Sequence, residues 1–358
     1  MRAGWVRSRR SAGVAPTLPG TDGVVVVGPG SVAAAIGDWF ARPGPAGSPA
    51  WTVRYSDEVP ERAPHDALAG AAVVVLVLHD GNFAAYTNRS AAERRASGVA
   101  QAQRVLAASR AVGVRHVVVV SSAMVHGATP GRSVITDDAA LIPTVDGLVG
   151  DLLAVEAVVA RVRRRRTPLV TVLRPAALVG QGVDTMITRH FEAPRLLTVR
   201  GAVREWQFAH VEDLASAAEH AVRHALAGAL TVGADDVLSP TQVETASGLR
   251  RIELAAVTAF GTAERLHRVR VLPAPASELA YTVYPWTVAS DRLRASGWEP
   301  RWSSAACLEV LLQSGSGRLA VAGRRVGTRD AAALGAVGAA VAFLGTAAVW
   351  RQARARRG

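Results

Sequence analysis

The sequence predicts an α/β protein built on a doubly wound parallel sheet, with a smaller C-terminal lobe and an apolar helix near the C-terminus. Three observations support this fold class. Short Val-rich runs alternate with helical stretches from Gly23 onward, a glycine-rich turn follows the first run, and 331–350 contains no charged residue. Continuous apolar strands separated by helices are typical of parallel sheets that helices cover on both faces.

Five apolar runs predict the first strands. They lie at 23–28, 51–55, 71–78, 116–122 and 169–175. Helices are predicted between them at 31–40, 91–113 and 145–160, and the last of these has its apolar residues at helical spacing. After about residue 226 the alternation gives way to shorter, mixed elements. We therefore expect a dinucleotide-binding domain of the Rossmann type at 21–225 and a smaller substrate-type lobe at 226–316, partly interleaved with 177–205.

The charge of the chain is concentrated at its two ends. The formal net charge is +12, yet residues 1–20 carry four arginines and no acid, and 317–358 carry eight arginines and one aspartate. The body between them is nearly neutral, which argues against a nucleic-acid-binding protein.

All 41 basic residues are arginine, so no mechanism that needs a lysine amine is available. A single cysteine, Cys307, excludes an internal disulfide and fits a reducing compartment.

The C-terminal region predicts a membrane anchor. Residues 331–350 contain one hydroxyl group and no charge, and a helix of that length spans about 30 Å, the thickness of a bilayer core. A buried or surface-lying Ala-rich helix is the alternative. We expect a flexible basic arm at 1–20, a basic linker at 317–330 and a basic tail at 351–358. This arrangement predicts a protein held at the cytoplasmic face of a membrane by one C-terminal helix and in contact with anionic lipid, with a cytoplasmic protein as the alternative. Four arginines lie on each flank of the helix, so the charge distribution does not decide its orientation.

The turn after the first strand has the spacing of a dinucleotide-binding fingerprint. Gly28, Gly30 and Ala33 follow the pattern G-x-G-x-x-A between a strand and a helix. Gly28 allows the tight turn, Gly30 lets the backbone approach a pyrophosphate, and Ala33 lets the helix pack closely on the sheet. Asp57, shortly after the second strand, is a candidate ribose ligand, whereas Arg54 would meet a 2′-phosphate. The sequence thus predicts NAD or NADP as cofactor, with an empty tight turn as the alternative.

Four segments resemble extended short-chain dehydrogenases/reductases, the group that contains the NAD-dependent epimerase/dehydratase family. They are GVRHVVVVSSAMVHG (113–127), LRPAALVGQG (173–182), REWQFAHVEDLASA (204–217) and SDRLRASGWEPRWSSAACLEVL (290–311). They follow one another in the family's order. The resemblance implies a Rossmann domain, NAD(P) binding and a catalytic trio of Ser or Thr, Tyr and Lys.

The catalytic trio of that family is incomplete in this sequence. Ser122 matches the Ser/Thr position. With Glu156 as the glutamate of the family's Y-x-x-x-K-x-x-x-E pattern, the tyrosine position falls on Leu148 and the lysine position on Leu152. Neither leucine can exchange a proton. The resemblance therefore implies a degenerate active site, in which Ser122 and His126 are the remaining candidates for proton transfer.

Three functional hypotheses stay open at this point. The first is a membrane-associated nucleotide-binding or regulatory protein that lacks the Tyr-x-x-x-Lys pair. The second is an atypical oxidoreductase or epimerase that acts on a sugar-nucleotide or lipid-linked substrate through Ser122 and His126, and the third is a scaffold without nucleotide.

His220 and His224 stand four residues apart, but no glutamate follows the first, so we expect an exposed helix face and no metal site. A homodimer is compatible with the sequence.

Overall fold

The computed structural model describes residues 23–315, except for 45–49, 79–80, 84–88, 144, 164–166, 270–271 and 273, and also describes 320–321 and 324–325. The predicted basic arm, membrane helix and basic tail lie outside the described residues, as does most of the predicted linker. Among the helices that are described, none is both long enough and apolar enough to cross a membrane.

A parallel sheet of six strands forms the centre of the described chain. Its strands are β1 (Gly23–Val27), β2 (Thr52–Ser56), β3 (Ala71–Val77), β4 (His116–Val120), β5 (Leu169–Pro175) and β9 (Gly228–Val232). They are arranged in the order β2-β1-β3-β4-β5-β9. Four of the first five strands lie within the apolar runs that predicted them, and β2 overlaps its run of 51–55 but ends one residue later. The sixth strand lies beyond residue 225, where the sequence predicted the end of this domain, and its segment GALTV is not the continuous Val-rich run that marked β1 and β4.

The remaining strands form short pairs outside the main sheet. These are β6 (Ala177–Val179) with β8 (Phe208–His210), β7 (Leu196–Val199) with β10 (Arg251–Leu254), and β11 (Ala320–Val321) with β12 (Arg324–Arg325). The helices are α1 (Gly30–Phe40), α2 (Pro64–Leu68), α3 (Ala91–Ala111), α4 (Gly147–Arg163), α5 (Met186–Phe191), α6 (Val211–Arg223), α7 (Pro240–Ser247), α8 (Ala256–Arg268), α9 (Ala280–Val283), α10 (Asp291–Ala295) and α11 (Ser304–Gly315). Two 3-10 turns lie at Ala123–His126 and Ala276–Leu279.

Helices cover both faces of the sheet, as the apolar strands predict. Helix α1 packs against α6 on one face, and α3 packs against α2 and α4 on the other. Successive residues of β1 therefore enter different hydrophobic clusters, because side chains of a strand alternate between its faces. Val24 lies in a cluster with Ile36 of α1, whereas Val25 lies in a cluster with Val105 of α3.

Ion pairs fix α4 against α3. Asp151 of α4 accepts hydrogen bonds from Arg94 Nε at 3.0 Å and from Arg95 Nε at 3.2 Å, and both pairs are largely shielded from solvent. Arg95 also donates to the carbonyl oxygen of Val145, just before the helix begins. The N-terminal half of α4 is thereby held in a defined position at the carboxyl end of the sheet.

Candidate functional site

The phosphate-binding loop predicted from sequence lies at the point where the strand order reverses. In doubly wound sheets this switch point, between β1 and β3 here, is where ligands bind at the carboxyl ends of the strands. Gly28 and Gly30 adopt φ values of 138° and 88°, which favour glycine over residues with a side chain. The Gly28 N–H donates to the Ser56 carbonyl oxygen at 2.9 Å and fixes the turn against β2. Ala33 is 2% exposed, which allows the close packing of α1 on the sheet.

The first turn of α1 has the features of an anion site. Its N-cap residue, Pro29, makes no side-chain capping hydrogen bond, so N–H groups of the first turn remain available as donors. The Ser31 Oγ is buried and has no hydrogen-bond partner among the described residues. A phosphate oxygen would accept hydrogen bonds from both kinds of donor. The residues present therefore fit the pyrophosphate of a dinucleotide.

Two further loops close over this turn, and the sequence did not reveal them as part of the site. A Cβ atom at Gly81 would lie 3.2 Å from Ser31 Oγ, and one at Gly182 would lie 3.2 Å from Ser31 Cβ. The Asp184 N–H donates to the Gly81 carbonyl oxygen, and the Phe83 N–H donates to the Asp184 carbonyl oxygen. Both loops thus need glycine where they approach α1. The glycines of the segment VGQG, 179–182, were the sequence signal from which the second loop could have been recognised.

The two candidate ribose contacts point in different directions. Asp57 is exposed and directly follows Ser56, the residue whose carbonyl oxygen accepts from Gly28, so Asp57 lies at the carboxyl edge of the sheet, next to the loop. Arg54 donates from Nη2 to the carbonyl oxygen of Ala69 at 2.5 Å. Ala69 lies just before β3 begins, at the opposite edge of the sheet. The structure thus brings Asp57 to the loop and directs Arg54 away from it.

The candidate catalytic residues Ser122 and His126 lie at the carboxyl end of β4 and are buried. Ser122 Oγ accepts a hydrogen bond from the Met124 N–H at 3.2 Å and caps the 3-10 turn. His126 Nδ1 donates to the Ala140 carbonyl oxygen at 3.0 Å, which leaves Nε2 as the acceptor for Arg174 Nη1 at 3.3 Å. Burial lowers the pKa of His126, and the Arg174 charge lowers it further. Both ring nitrogens of His126 are engaged in this arrangement.

A buried ion pair lies behind His126. Arg174 donates to Glu156 through Nη2 at 2.6 Å and through Nε at 3.3 Å, and the two residues are 6% and 4% exposed. Ser121 Oγ donates to the same carboxylate at 2.6 Å. Glu156 of α4 is thereby tied to β5 and to the end of β4. Glu156, the glutamate from which the family pattern was aligned, thus holds α4 on the sheet.

The two leucines to which the sequence resemblance assigns the family's Tyr and Lys positions lie in the hydrophobic core. Leu148 is 9% exposed and Leu152 is 2% exposed. A segment of the C-terminal lobe packs here: the Leu148 N–H donates to Glu278 Oε1 at 2.5 Å, and Tyr281 Oη donates to the Met124 carbonyl oxygen at 2.7 Å. Burial raises the pKa of the Tyr281 phenol, and the nearby Glu278 carboxylate raises it further. Glu278 and Tyr281 carry no motif that sequence reasoning recognised.

The other titratable residues singled out from the sequence serve local structure. His224 is exposed on α6, while half-buried His220 forms a hydrogen bond through Nε2 with Ser296 Oγ at 2.9 Å. Cys307 is buried, and burial raises the pKa of its thiol to about 12. In the part of the chain that the structure describes, no three His, Cys, Asp or Glu residues are grouped closely enough to hold a metal ion.

The doubly wound sheet with a glycine turn at its switch point defines a fold of the Rossmann class. Residues 65–233, a little under half of the chain, match the family model of the NAD dependent epimerase/dehydratase family. The match confirms the family resemblance, and its range contains three of the four segments that indicated it, 113–127, 173–182 and 204–217. The glycine turn at 28–30 precedes the matched range.

Known proteins share the fold along most of the described chain. Uncharacterized proteins of Mycobacterium tuberculosis and Mycobacterium bovis are 28% identical to it over 229 residues, which is 62% of this chain and 60% of the length of these relatives. A short-chain dehydrogenase/reductase superfamily protein from Agrobacterium tumefaciens with bound NAD superposes with a TM-score of 0.58 at 17% identity, covering 82% of this chain and 96% of the other.

Two further solved structures show the same likeness. MoeE5 in complex with UDP-glucuronic acid and NAD has a TM-score of 0.59 at 19% identity, covering 82% of this chain and 98% of its own. RMD from Pseudomonas aeruginosa, complexed with NADPH, has a TM-score of 0.58 at 18% identity, covering 83% of this chain and 100% of its own. At these identities the likeness establishes the fold.

Proposed function

We propose that the chain binds NAD at the switch point of its sheet and lacks the proton relay of the family. The observation that carries the proposal is the first turn of α1. Its uncapped N–H groups lie directly after the glycine turn, and with them lies the buried Ser31 hydroxyl, which has no hydrogen-bond partner among the described residues. A pyrophosphate at this place would satisfy donors that are otherwise left without an acceptor. The family match and the fold shared with proteins solved with NAD or NADPH support the class of cofactor.

The charges at the edge of β2 favour NAD over NADP. A carboxylate at the end of this strand accepts hydrogen bonds from the ribose hydroxyls, whereas it repels a 2′-phosphate. Asp57 lies at this edge, and Arg54 donates to Ala69 at the opposite edge. The arginine that would compensate a 2′-phosphate is thus directed elsewhere.

The absence of the family's proton relay follows from side-chain chemistry at α4. Bound NAD supplies a hydride acceptor, but Leu148 and Leu152 cannot move a proton to or from a substrate. Tyr281 packs nearby, and its raised pKa keeps its phenol protonated at neutral pH. His126 has both ring nitrogens in hydrogen bonds within the protein. We therefore infer a binding or regulatory role, and the predicted membrane helix at 331–350 would place that role at a membrane.

Calorimetric titration of the full chain with NAD⁺ and NADP⁺ tests the cofactor proposal. We expect NAD⁺ to bind at least about tenfold more tightly than NADP⁺. Asp57→Ala should weaken NAD⁺ binding about tenfold, while the adjacent exposed Glu58→Ala, a matched control, should change it less than about twofold. Binding of neither nucleotide at millimolar concentration would favour the scaffold hypothesis, and a preference for NADP⁺ would overturn the role given to Asp57.

A turnover assay distinguishes a protein that binds NAD without catalysing a reaction from the atypical enzyme. The full chain is incubated with NAD⁺ and a panel of sugar nucleotides, and NADH formation and substrate epimerisation are followed. We expect neither reaction. Turnover that disappears in Ser122→Ala or His126→Ala would contradict the binding role and support the second hypothesis drawn from the sequence.

A further inference from the structure

The two halves of the proposed nucleotide site differ in how far the protein itself covers them. A doubly wound sheet binds the two mononucleotides of a dinucleotide on opposite sides of its switch point. On the β2 side, Gly30 and Asp57 are exposed. On the side of β4 and β5, the stretches that follow the two strands, 121–128 and 176–180, are buried throughout, and His126 is 0% exposed. The first half is therefore open to a ligand, whereas the second is covered by the chain.

A segment between β4 and α4 forms the first part of this cover. The Ile142 N–H donates to the Val125 carbonyl oxygen at 3.0 Å, and the Ala140 carbonyl oxygen accepts from His126 Nδ1 at 3.0 Å. A Cβ atom at Gly127 would lie 2.7 Å from Ile142 Cγ2, which is closer than a real side chain tolerates. The chain around Ile142 thus lies directly on the turn that follows β4, with no space between the two.

The C-terminal lobe holds this segment in place. The Ile135 N–H donates to the Thr287 carbonyl oxygen at 2.7 Å, and the Ala289 N–H donates to the Ile135 carbonyl oxygen at 2.9 Å. The buried Asp137 carboxylate accepts a hydrogen bond from the Arg292 N–H at 2.9 Å. Because these contacts are buried and link distant parts of the chain, the cover belongs to the folded core.

The C-terminal lobe also supplies the second part of the cover. Tyr281 is 3% exposed and donates to the Met124 carbonyl oxygen at 2.7 Å, and Glu278 is 1% exposed and accepts from the Leu148 N–H at 2.5 Å. A Cβ atom at Gly147 would overlap the Glu278 carboxylate. The space between the turn after β4 and the start of α4 is therefore filled by side chains of the protein.

Two polar side chains beneath the cover are already engaged within the protein. Both ring nitrogens of His126 take part in hydrogen bonds, and the Arg174 guanidinium contacts His126 and Glu156. The chain contains no lysine, and Leu152 stands where the resemblance places one. A nicotinamide riboside buried here would lose its hydrogen bonds to water without comparable replacements, which is costly. The residues of the second half do not fit that group.

We propose that the chain recognises the adenosine diphosphate part of its nucleotide and leaves the nicotinamide riboside outside the protein, so that ADP-ribose and NAD⁺ are equivalent ligands. The inference rests on the proposed function, from which it takes the phosphate position at α1 and the role of Asp57. It narrows the ligand class to derivatives of adenosine diphosphate. NAD⁺ and NADH are not distinguished, because they differ in the ring that the protein does not contact.

Calorimetric titration of the full chain with four nucleotides tests the inference. We expect NAD⁺, NADH and ADP-ribose to bind within about threefold of one another, and nicotinamide mononucleotide not to bind at millimolar concentration. Burial in an apolar site shifts the emission of a reduced nicotinamide to shorter wavelength. Bound NADH should therefore keep the emission maximum of free NADH.

Thiol labelling tests the cover without any nucleotide. Cys307, the single cysteine, is buried, and burial raises its pKa to about 12, so the unchanged chain gives a low background with a thiol reagent. Ser122→Cys places a thiol of similar size beneath the cover, and Glu58→Cys places one at an exposed position on the β2 side. We expect the thiol at 122 to react at least about a hundredfold more slowly than the thiol at 58, and to react fully in urea.

Three results would overturn the inference. NAD⁺ binding at least about tenfold more tightly than ADP-ribose, or a blue shift of bound NADH, would contradict it and leave the proposed NAD site in place. Equal labelling of Ser122→Cys and Glu58→Cys would show that the second half is open. Binding of none of the nucleotides at millimolar concentration would overturn the proposed function together with this inference. The titrations use the unchanged chain, so they decide the matter if Ser122→Cys does not fold.

Discussion

Replacing Arg174 with methionine is expected to lower the free energy of unfolding by about 3–5 kcal/mol, because it leaves the Glu156 carboxylate charged and buried. The carboxylate is 4% exposed and accepts three hydrogen bonds, two from Arg174 and one from Ser121. Without the guanidinium, the Ser121 hydroxyl is the remaining donor among these. Domains are typically stable by about 5–15 kcal/mol, so this loss is a large fraction of the total.

A double-mutant cycle separates the ion pair from the loss of packing. Glu156→Gln removes the negative charge and keeps an oxygen that accepts from Ser121. In the double variant of Arg174→Met with Glu156→Gln no unpaired charge remains, so most of the loss should be recovered. We expect a coupling energy of about 2–3 kcal/mol, at the upper end of values for residues in direct contact.

Urea unfolding followed by tryptophan fluorescence measures these differences, since the chain has eight tryptophans. Arg268→Met is the matched control: its ion pair with Glu264 is exposed, with side-chain exposures of 73% and 52%, and should contribute less than about 1 kcal/mol. If Arg174→Met destabilises the protein no more than Arg268→Met does, the buried network does not hold α4 on the sheet.

Three further outcomes are expected. Ser31→Ala should weaken NAD⁺ binding about threefold or more in calorimetry and leave the urea midpoint unchanged, since it removes an unpartnered buried hydroxyl; an unchanged affinity would exclude Ser31 from the phosphate site. Burial lowers the pKa of His116 from 6.5 to about 4, so its contribution to stability is present above pH 6.5 and is lost as pH falls toward 4. His116→Leu should reduce the acid loss measured by urea unfolding by up to about 3 kcal/mol, and an unchanged pH profile would contradict this. Leu148→Tyr with Leu152→Lys should destabilise the protein by about 3 kcal/mol or more, because Leu152 is 2% exposed; tighter NAD⁺ binding at unchanged stability would show a pocket still shaped for the pair.

Local patterns were sufficient to predict the strands and the phosphate loop. In a doubly wound protein, a run such as VVVV in β1 or β4 predicts a central strand, because both faces of such a run must be buried. The glycine spacing at Gly28 and Gly30 likewise reflects a local backbone requirement, which the positive φ angles bear out. The segment of β9, GALTV, lacks both signals, and the sequence therefore did not single it out as a strand of the main sheet.

Sequence patterns could not predict contacts between residues that lie far apart in the chain. Glu278 contacts α4 from 130 positions away, and Tyr281 reaches Met124 across 157 positions. The engagement of both His126 nitrogens also depends on Arg174, 48 positions away. No spacing rule links such residues, because their proximity results from the packing of the C-terminal lobe on the sheet. The predicted membrane helix at 331–350 lies outside the described residues and stays a prediction.

On the alignment that the sequence resemblance implies, the buried contacts explain why α4 can keep the form of the family's catalytic helix without its Tyr and Lys. Glu156 is needed for the ion pair with Arg174, whatever occupies the Tyr and Lys positions, and two leucines there fill space that would otherwise have to accommodate a phenol and an ammonium group. The same packing makes Tyr281 a direct link between two regions: its carbonyl oxygen accepts from Arg204, and its hydroxyl donates to the carbonyl oxygen of Met124, two residues after Ser122, so the C-terminal lobe is tied to the turn at the end of β4.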